Sequence, residues 1–347
     1  MFFDESEVPA GEIVLTGDRP TGPLHLGHYV GSLKSRIQLQ EKNQQYIMVA
    51  DAQALTDHAK NPDVIRENVL EVVLDYLAVG IDPTKSTIFI QSQIPPLFEL
   101  SAYFLNLVTW NRLKHNPTVK EEIVQKGYGE NIPAGFMVYP VFQAADIAAF
   151  KANRVPVGSD QLPMIEGTSR IVGQFNRTYQ VECLVEPKPL VSPFGRLPGV
   201  KNKAEKMSKT LGNAIFLKDP IDKVFERIKK MPSDPSHTKI DDPGNVENSL
   251  VFTYLDAFDA DLEALAYLKE SYRKGGLADS IVKKRLMEVL EAFLSPIQKR
   301  RAALEDNLDY VRDTLVQGTN QAQKVAANTL REVKEAMGIM YLFQESI

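Results

Sequence analysis

Before about residue 190 the apolar positions fall into two alternating patterns. Short, nearly continuous runs, Ile13–Thr16, Tyr46–Ala50 and Thr87–Ile90, are bounded by turn formers and predict strands. Longer stretches with apolar residues three and four apart predict helices. One runs from about His28 to Leu39. Another spans Asn61 to Val79, with Asn61 as N-cap, Pro62 at the first helical position and Gly80 as the stop. Strands that are apolar throughout, alternating with helices, predict a parallel sheet covered on both faces. In such sheets ligands gather at the carboxyl ends of the strands.

The pattern changes between Pro187 and Thr210, where Pro187, Pro189, Pro193, Gly195, Pro198 and Gly199 crowd together. Beyond this break the spacing is helical throughout. Helices are expected at Asp219–Met231, Ser249–Phe258, Leu262–Lys274, Ser280–Leu294 and Pro296–Val316. The chain therefore divides into an α/β domain over 1–212 and an all-helical domain over 213–347, whose last helix can pack back on the first. No internal repeat or low-complexity segment is visible.

Composition narrows the class. The chain has 347 residues, 44% hydrophobic and 24% charged, which fits folded domains and excludes disorder. No apolar run approaches the ~18 residues of a membrane span. Met1 to Ala10 carries acids and no base, unlike a signal or transit peptide. Cys183 is the single cysteine, so no intrachain disulfide forms and a reducing compartment is expected. The net charge of −5 speaks against nucleic acid, but it does not say where the charges sit.

Two local motifs change that picture. His25-Leu26-Gly27-His28 lies where the first strand gives way to a helix. A helix start favours anions, and Gly27 lets a flat ring or a phosphate approach the backbone. No third ligand accompanies the two histidines, so no metal site is assigned. Lys206-Met207-Ser208-Lys209-Thr210 follows the Pro/Gly-rich break and reads as a mobile loop. Arg196, Lys201, Lys203, Lys206 and Lys209 crowd there against one acid, Glu205. On its own this is either a solvated linker or a polyphosphate-binding loop. The P-loop pattern and Gly-x-Gly-x-x-Gly are both absent.

The pair of motifs resembles those of the class I aminoacyl-tRNA synthetases, and the resemblance extends over nearly the whole chain. Gly17-Asp18-Arg19-Pro20-Thr21-Gly22, Ala50-Asp51-Ala52-Gln53-Ala54-Leu55-Thr56, Leu77-Ala78-Val79-Gly80-Ile81-Asp82-Pro83, Tyr139 through Ile147 and Val155 through Gln161 look like the bacterial tryptophanyl-tRNA synthetase family. The resemblance implies a Rossmann-like class I catalytic domain with a parallel sheet, plus a C-terminal helical anticodon-binding domain. It implies a cytoplasmic homodimer that activates an amino acid with ATP, with Mg²⁺ bound through the ATP phosphates. The aminoacyl-adenylate then acylates the 3′ end of tRNA. Catalysis would be positioning and charge stabilisation. His25, His28, Lys206 and Lys209 would act on the phosphates, and Lys120 is a further candidate there. Arg19, Thr21, Gly27, Gly158, Asp160, Met207 and Ser208 would complete the ATP site. Two positions depart from the family: Thr210 replaces a serine, and His115 replaces an arginine before Asn116-Pro117-Thr118-Val119-Lys120.

Tyr139, Gln143 and Asp146 share one helix face by their spacing. The resemblance makes them part of the tryptophan site, with Asp146 accepting the indole N–H and so rejecting phenylalanine. Tyr139, Gln143 and Gln161 would hold the α-amino group or orient the pocket, Leu15, Ile147, Val155 and Val157 would form its walls, and Gln53 is a further tryptophan-binding candidate. The same stripe resembles tyrosyl-tRNA synthetases. Met207, the Val155–Pro163 context and the lack of a C-terminal RNA-binding module of the tyrosyl type favour tryptophan. The basic clusters Lys283-Lys284-Arg285 and Lys299-Arg300-Arg301 either contact tRNA phosphates or are solvated faces. A nucleotidyltransferase without tRNA and a non-catalytic paralogue are the alternatives. The paired motifs and the intact histidines and lysines disfavour both.

Overall fold

The computed structural model describes residues 8–191, 197–209, 211–235, 237 and 239–341. Its centre is a parallel five-stranded sheet: β1 (Ile13–Asp18), β2 (Gln44–Val49), β3 (Ser86–Ile90), β4 (Arg154–Val157) and β5 (Lys188–Val191), in the order β3-β2-β1-β4-β5. β1 pairs with β2 from Ile13↔Gln44 to Asp18↔Val49. The chain builds outward from β1 in one direction and then returns to add β4 on its other side. This places the topological switch point, and the crevice it opens, at the carboxyl ends of β1 and β4.

Alternation along the strands sorts the core into two layers. Ile47 and Val49 join Ile88 and helix Asp63–Val79 in one layer. Tyr46, Met48 and Phe89 join helices Pro95–Leu105, Ala134–Ala149 and Leu162–Tyr179 in the other. The first layer continues without a break into the C-terminal region: Leu24, Val72 and Val73 belong to the same apolar cluster as Leu250, Leu286 and Leu290. The Pro/Gly-rich break is thus a change of architecture, not a gap between two cores.

Three local readings are corrected. Helix Asp63–Val79 starts later than Asn61, because Pro62 takes the flanking position and its carbonyl accepts from Ile65 and Arg66. Pro296 does not begin a helix. One helix, Asp279–Glu305, runs through it. Proline inside a helix costs about 3 kcal/mol, but Val282, Leu286, Leu290, Leu294 and Ile297 keep one buried stripe on both sides of it. The final helix is Leu308–Ala336 and extends well past Val316.

That final helix lies against β3, the edge strand. A Cβ on Gly318 would fall 2.0 Å from the Ile88 carbonyl oxygen, so only glycine permits this approach. The next residue, Thr319, accepts the Ile90 N–H through its hydroxyl at 3.2 Å. An exposed strand edge is thereby covered.

Candidate active site

The histidine motif sits at the carboxyl end of β1, in a turn held on two sides. Leu26 N–H donates to Ile215 O at 2.9 Å, and Leu217 N–H donates to Leu24 O at 3.0 Å. His28 Nδ1 accepts the His25 backbone N–H at 3.1 Å, and the two rings lie 3.8 Å apart. Burial lowers both imidazoles, assisted by the neighbouring positive charge of Lys209: His25 to about 2 and His28 to about 4. Both are therefore neutral at pH 7, each with one N–H to donate. His25 Nδ1 is buried with no hydrogen-bond partner among the described residues, an unmet capacity at the crevice. A Cβ on Gly27 would fall 2.9 Å from the His25 ring and would displace it from this position.

Beneath the histidines lies a charged foundation. Asp18 Oδ2 accepts from Arg36 Nη1 and from Tyr76 Oη, both at 2.7 Å. Arg36 is buried and also donates to Ser32 Oγ at 2.8 Å. Burial alone would raise Asp18, but Arg36, His28 and the two hydrogen bonds outweigh it and hold the carboxyl well below the usual carboxylate range.

The lysine motif is more ordered than the composition of its segment suggests. A two-stranded antiparallel hairpin, β6 (Pro198–Gly199) and β7 (Asn202–Lys206), leads into it. Buried Asn213 then grips it at two points: its Oδ1 accepts from Ser208 N–H at 2.8 Å and its Nδ2 donates to Lys206 O at 3.2 Å. Met207 is buried, and its sulfur accepts the Gly27 N–H at 3.3 Å. Lys209 Nζ donates to Gly22 O at 2.6 Å, which joins the lysine motif to the turn after β1. Burial lowers Lys209 to about 8, so it remains mostly protonated at pH 7. Lys206 is exposed at the end of β7. Arg196 and Thr210 lie outside the described residues.

At the carboxyl ends of β2 and β3 a cavity of about 270 Å³ is lined by Ala52, Gln53, Leu55, Thr56, Gln91 and Phe98, with Gly135, Val138, Tyr139, Phe142 and Asp146 contributed by helix Ala134–Ala149. Asp146 is buried, and desolvation raises it to about 7. Gln91 Nε2 donates to Asp146 Oδ2 at 2.8 Å, while Gln91 Oε1 accepts the Gln53 N–H at 2.9 Å. The amide is thus held with its NH₂ towards the carboxylate. Gln91 was not among the sequence candidates, although its place directly after β3 was a usable signal. Asn213 was missed too, since nothing local reveals a long-range clasp.

Gln53, Tyr139 and Asp146 of the expected set line the cavity. Gln143, Gln161, Leu15, Ile147, Val155 and Val157 do not. The cavity-facing helix stripe is 135, 138, 139, 142 and 146, one position off Gln143 and Ile147. Leu15, Ile147 and Val155 are buried in the apolar layer instead, with Val157 packed against it. The wall is made by Leu55, Phe98, Val138 and Phe142.

The remaining nucleotide candidates lie in the turns after β1 and β4 and on a helix beside the second of these. Gly158 and Asp160 form the turn after β4, where Thr118 Oγ1 donates to Asp160 O at 2.9 Å and Gln161 Nε2 to Asp160 Oδ2 at 3.2 Å. Lys120 is exposed on helix Pro117–Lys126. Arg19, two residues before Thr21 in the turn after β1, pairs with Asp57 at 2.8 Å, and Asp57 also takes Lys126 at 2.6 Å.

The basic clusters of the C-terminal region require a correction. Arg301 is 3% exposed and ion-paired with Glu71, Asp75 and Glu305, so it is not a surface contact for RNA. Arg300 donates to Ala78 O at 2.6 Å, Arg285 forms a two-bond pair with Asp259, and Lys283 donates to Met231 O at 2.7 Å. Lys299 is exposed. The cluster pattern marked helix–helix ties as much as solvent-facing charge.

A parallel sheet with a histidine motif after its first strand, tied to a lysine motif through the Met207–Gly27 and Lys209–Gly22 contacts, is the arrangement of a class I synthetase. The profile of the family "tRNA synthetases class I (W and Y)" matches residues 11–295, and the chain belongs to that family. Within it, the tryptophan–tRNA ligase of Clostridium longisporum is 56% identical over 336 residues, 96% of this chain and 98% of the relative. That of Streptococcus mutans is 55% identical over 336 residues, 95% of this chain and 98% of the relative. The tryptophanyl-tRNA synthetase of Campylobacter jejuni, solved with ADP and tryptophan, superposes with a TM-score of 0.82 at 28% identity, covering 94% of this chain and 99% of that one. Among the described residues no helix is long and apolar enough to cross a membrane.

Proposed function

We infer that the protein is a tryptophan–tRNA ligase that forms tryptophanyl-adenylate from L-tryptophan and ATP, releases pyrophosphate, and transfers tryptophan to the 3′ end of tRNA. The observation that carries this reading is the apolar cavity with one buried carboxylate, Asp146, opening at the same sheet edge as the histidine and lysine motifs. The similarity to tryptophan–tRNA ligases supports it.

An indole is an apolar body with one N–H donor. The cavity offers apolar walls and one strong acceptor. Gln91 occupies Asp146 Oδ2, which leaves Oδ1 to accept the indole N–H. A ligand without that donor would leave the buried carboxylate unpaired. On the nucleotide side the neutral histidines donate N–H bonds to phosphate oxygens without a proton transfer. Lys209 exchanges its bond to Gly22 O for the departing pyrophosphate, and Lys206 adds charge from the exposed side. Among the described residues no three His, Cys or carboxylate side chains gather to cage a metal ion. Mg²⁺ would enter with ATP, held by its phosphates, and would neutralise part of their charge. The protein works as a cytoplasmic homodimer in this reading, and Lys299 and Arg300 are the exposed candidates for tRNA left within the 299–301 cluster.

ATP–pyrophosphate exchange with tryptophan and tyrosine side by side is the test. Exchange supported by tryptophan, with tyrosine far behind, is expected; preference for tyrosine or for a non-amino acid would overturn the assignment.

A further inference from the structure

Arg301 sits in helix Asp279–Glu305 of the C-terminal region, yet its guanidinium is buried under the catalytic domain. Each nitrogen has a partner. Nε donates to Glu305 Oε1 at 2.9 Å, Nη2 to Glu71 Oε2 at 2.8 Å, and Nη1 to Asp75 Oδ1. Glu71 and Asp75 lie one turn apart on helix Asp63–Val79. Asp75 is fully buried, and its other oxygen, Oδ2, accepts the Leu24 backbone N–H at 2.7 Å. Leu24 immediately precedes His25, and its carbonyl accepts from Leu217 N–H on the opposite side. The peptide that delivers the first histidine is therefore clamped between Asp75 and the segment following the lysine motif.

We propose that Arg301 is a positioning residue for adenylate formation: by holding the Asp75 carboxylate on the Leu24 N–H, it fixes the placement of His25 at the nucleotide crevice. Burial raises Asp75 to about 6 even with Arg301 beside it. Without the guanidinium, the carboxyl would protonate near neutral pH and its acceptor strength would fall. A buried ion pair is not required for stability, since apolar residues of similar volume often replace one without loss. What apolar residues cannot supply is an acceptor aimed at the one N–H beside His25. The inference rests on the crevice being the ATP site.

The experiment is tRNA-free ATP–pyrophosphate exchange with Arg301→Met and Arg301→Lys. Arg301→Met should lower kcat by about 10- to 100-fold, the scale of a small misplacement of a reacting group. KM for tryptophan should stay within about two-fold, because the aromatic cavity is untouched. Arg301→Lys, which keeps a charge near Asp75, should recover part of kcat. The pair Arg301→Met with Asp75→Leu removes both charges and guards against a folding failure; it should be folded and show the same low kcat. A folded Arg301→Met or double variant with wild-type kcat would overturn the proposal. So would a loss confined to tRNA acylation, which would return Arg301 to an RNA role. Lack of exchange in the wild-type protein would remove the ATP-site reading and this inference together.

Discussion

At the carboxyl end of β1, polar groups are many and shared. Asp18 serves Arg36 and Tyr76, His28 holds the His25 backbone, and Lys209 and Met207 bind across from the other motif. At the ends of β2 and β3, one carboxylate faces an apolar cavity with a single side-chain partner, Gln91. The ligands proposed for the two regions would account for the difference. A triphosphate spreads several charges over many oxygens, so binding and catalysis can be divided among several donors. An indole offers one polar atom, so its recognition is concentrated in one acceptor. Losing one member should therefore be partly tolerated in the crevice and severe in the cavity.

The largest expected effect tests the concentrated side. Asp146→Ala should lower kcat/KM for tryptophan by ~10³-fold or more, given how strongly a hydrogen-bonding pocket depends on its polar partner. Steady-state exchange kinetics would show it, and a loss under ten-fold would mean that recognition is distributed there too. Lys209→Ala comes next. It should lower the kcat of adenylate formation by ~10²-fold, comparable to removing one donor to developing charge, with KM for tryptophan little changed. An effect on tryptophan KM alone would erase the division between the two regions.

Gln91→Leu should raise KM for tryptophan by ~10-fold at pH 7, since it removes a charge-assisted hydrogen bond from the acceptor. It also sharpens the comparison through pH. Asp146 is raised to about 7 by burial, and the Gln91 amide opposes that rise. With Asp146 as the proposed indole acceptor, tryptophan binding needs the carboxylate, so affinity should be full above this pKa and fall as pH drops through it. Losing Gln91 should move that fall to higher pH, and a pH profile of KM would show the shift. Asn213→Ala is the mildest case: the lysine motif loses two of several tethers, and kcat should drop by only ~3- to 10-fold. A change as large as that for Lys209→Ala would show that the tethers of the lysine motif are not redundant.

β1, β2, β3 and the two signature motifs are legible because their signals are local, whereas β4 and β5, four residues each and carrying Pro156 and Pro189, are not read as strands from the sequence. Ile13–Thr16 and Thr87–Ile90 are apolar runs between turn formers, and His25 to His28 and Lys206 to Lys209 are contiguous. Asp146 and Tyr139 were legible by helical spacing together with family resemblance. What stayed hidden was set by distant partners. Pro296 looked like a helix start because its own preference says so, but the stripe from Val282 to Ile297 overrides it. Arg301 looked like surface charge because Glu71 and Asp75 are far away in sequence. Leu15 and Val155 looked like pocket walls, yet Phe98 and Leu55, from helices after other strands, occupy that place.

Recognition of the indole N–H by Asp146 is central to the proposed specificity. The most direct measurement is exchange kcat/KM for tryptophan against β-(3-benzothienyl)alanine, in which sulfur replaces the N–H at nearly constant shape, in the wild type and in Asp146→Ala. The account predicts a preference for tryptophan of at least ~10²-fold in the wild type, collapsing towards unity in the variant. Equal use of the two amino acids by the wild type would contradict it.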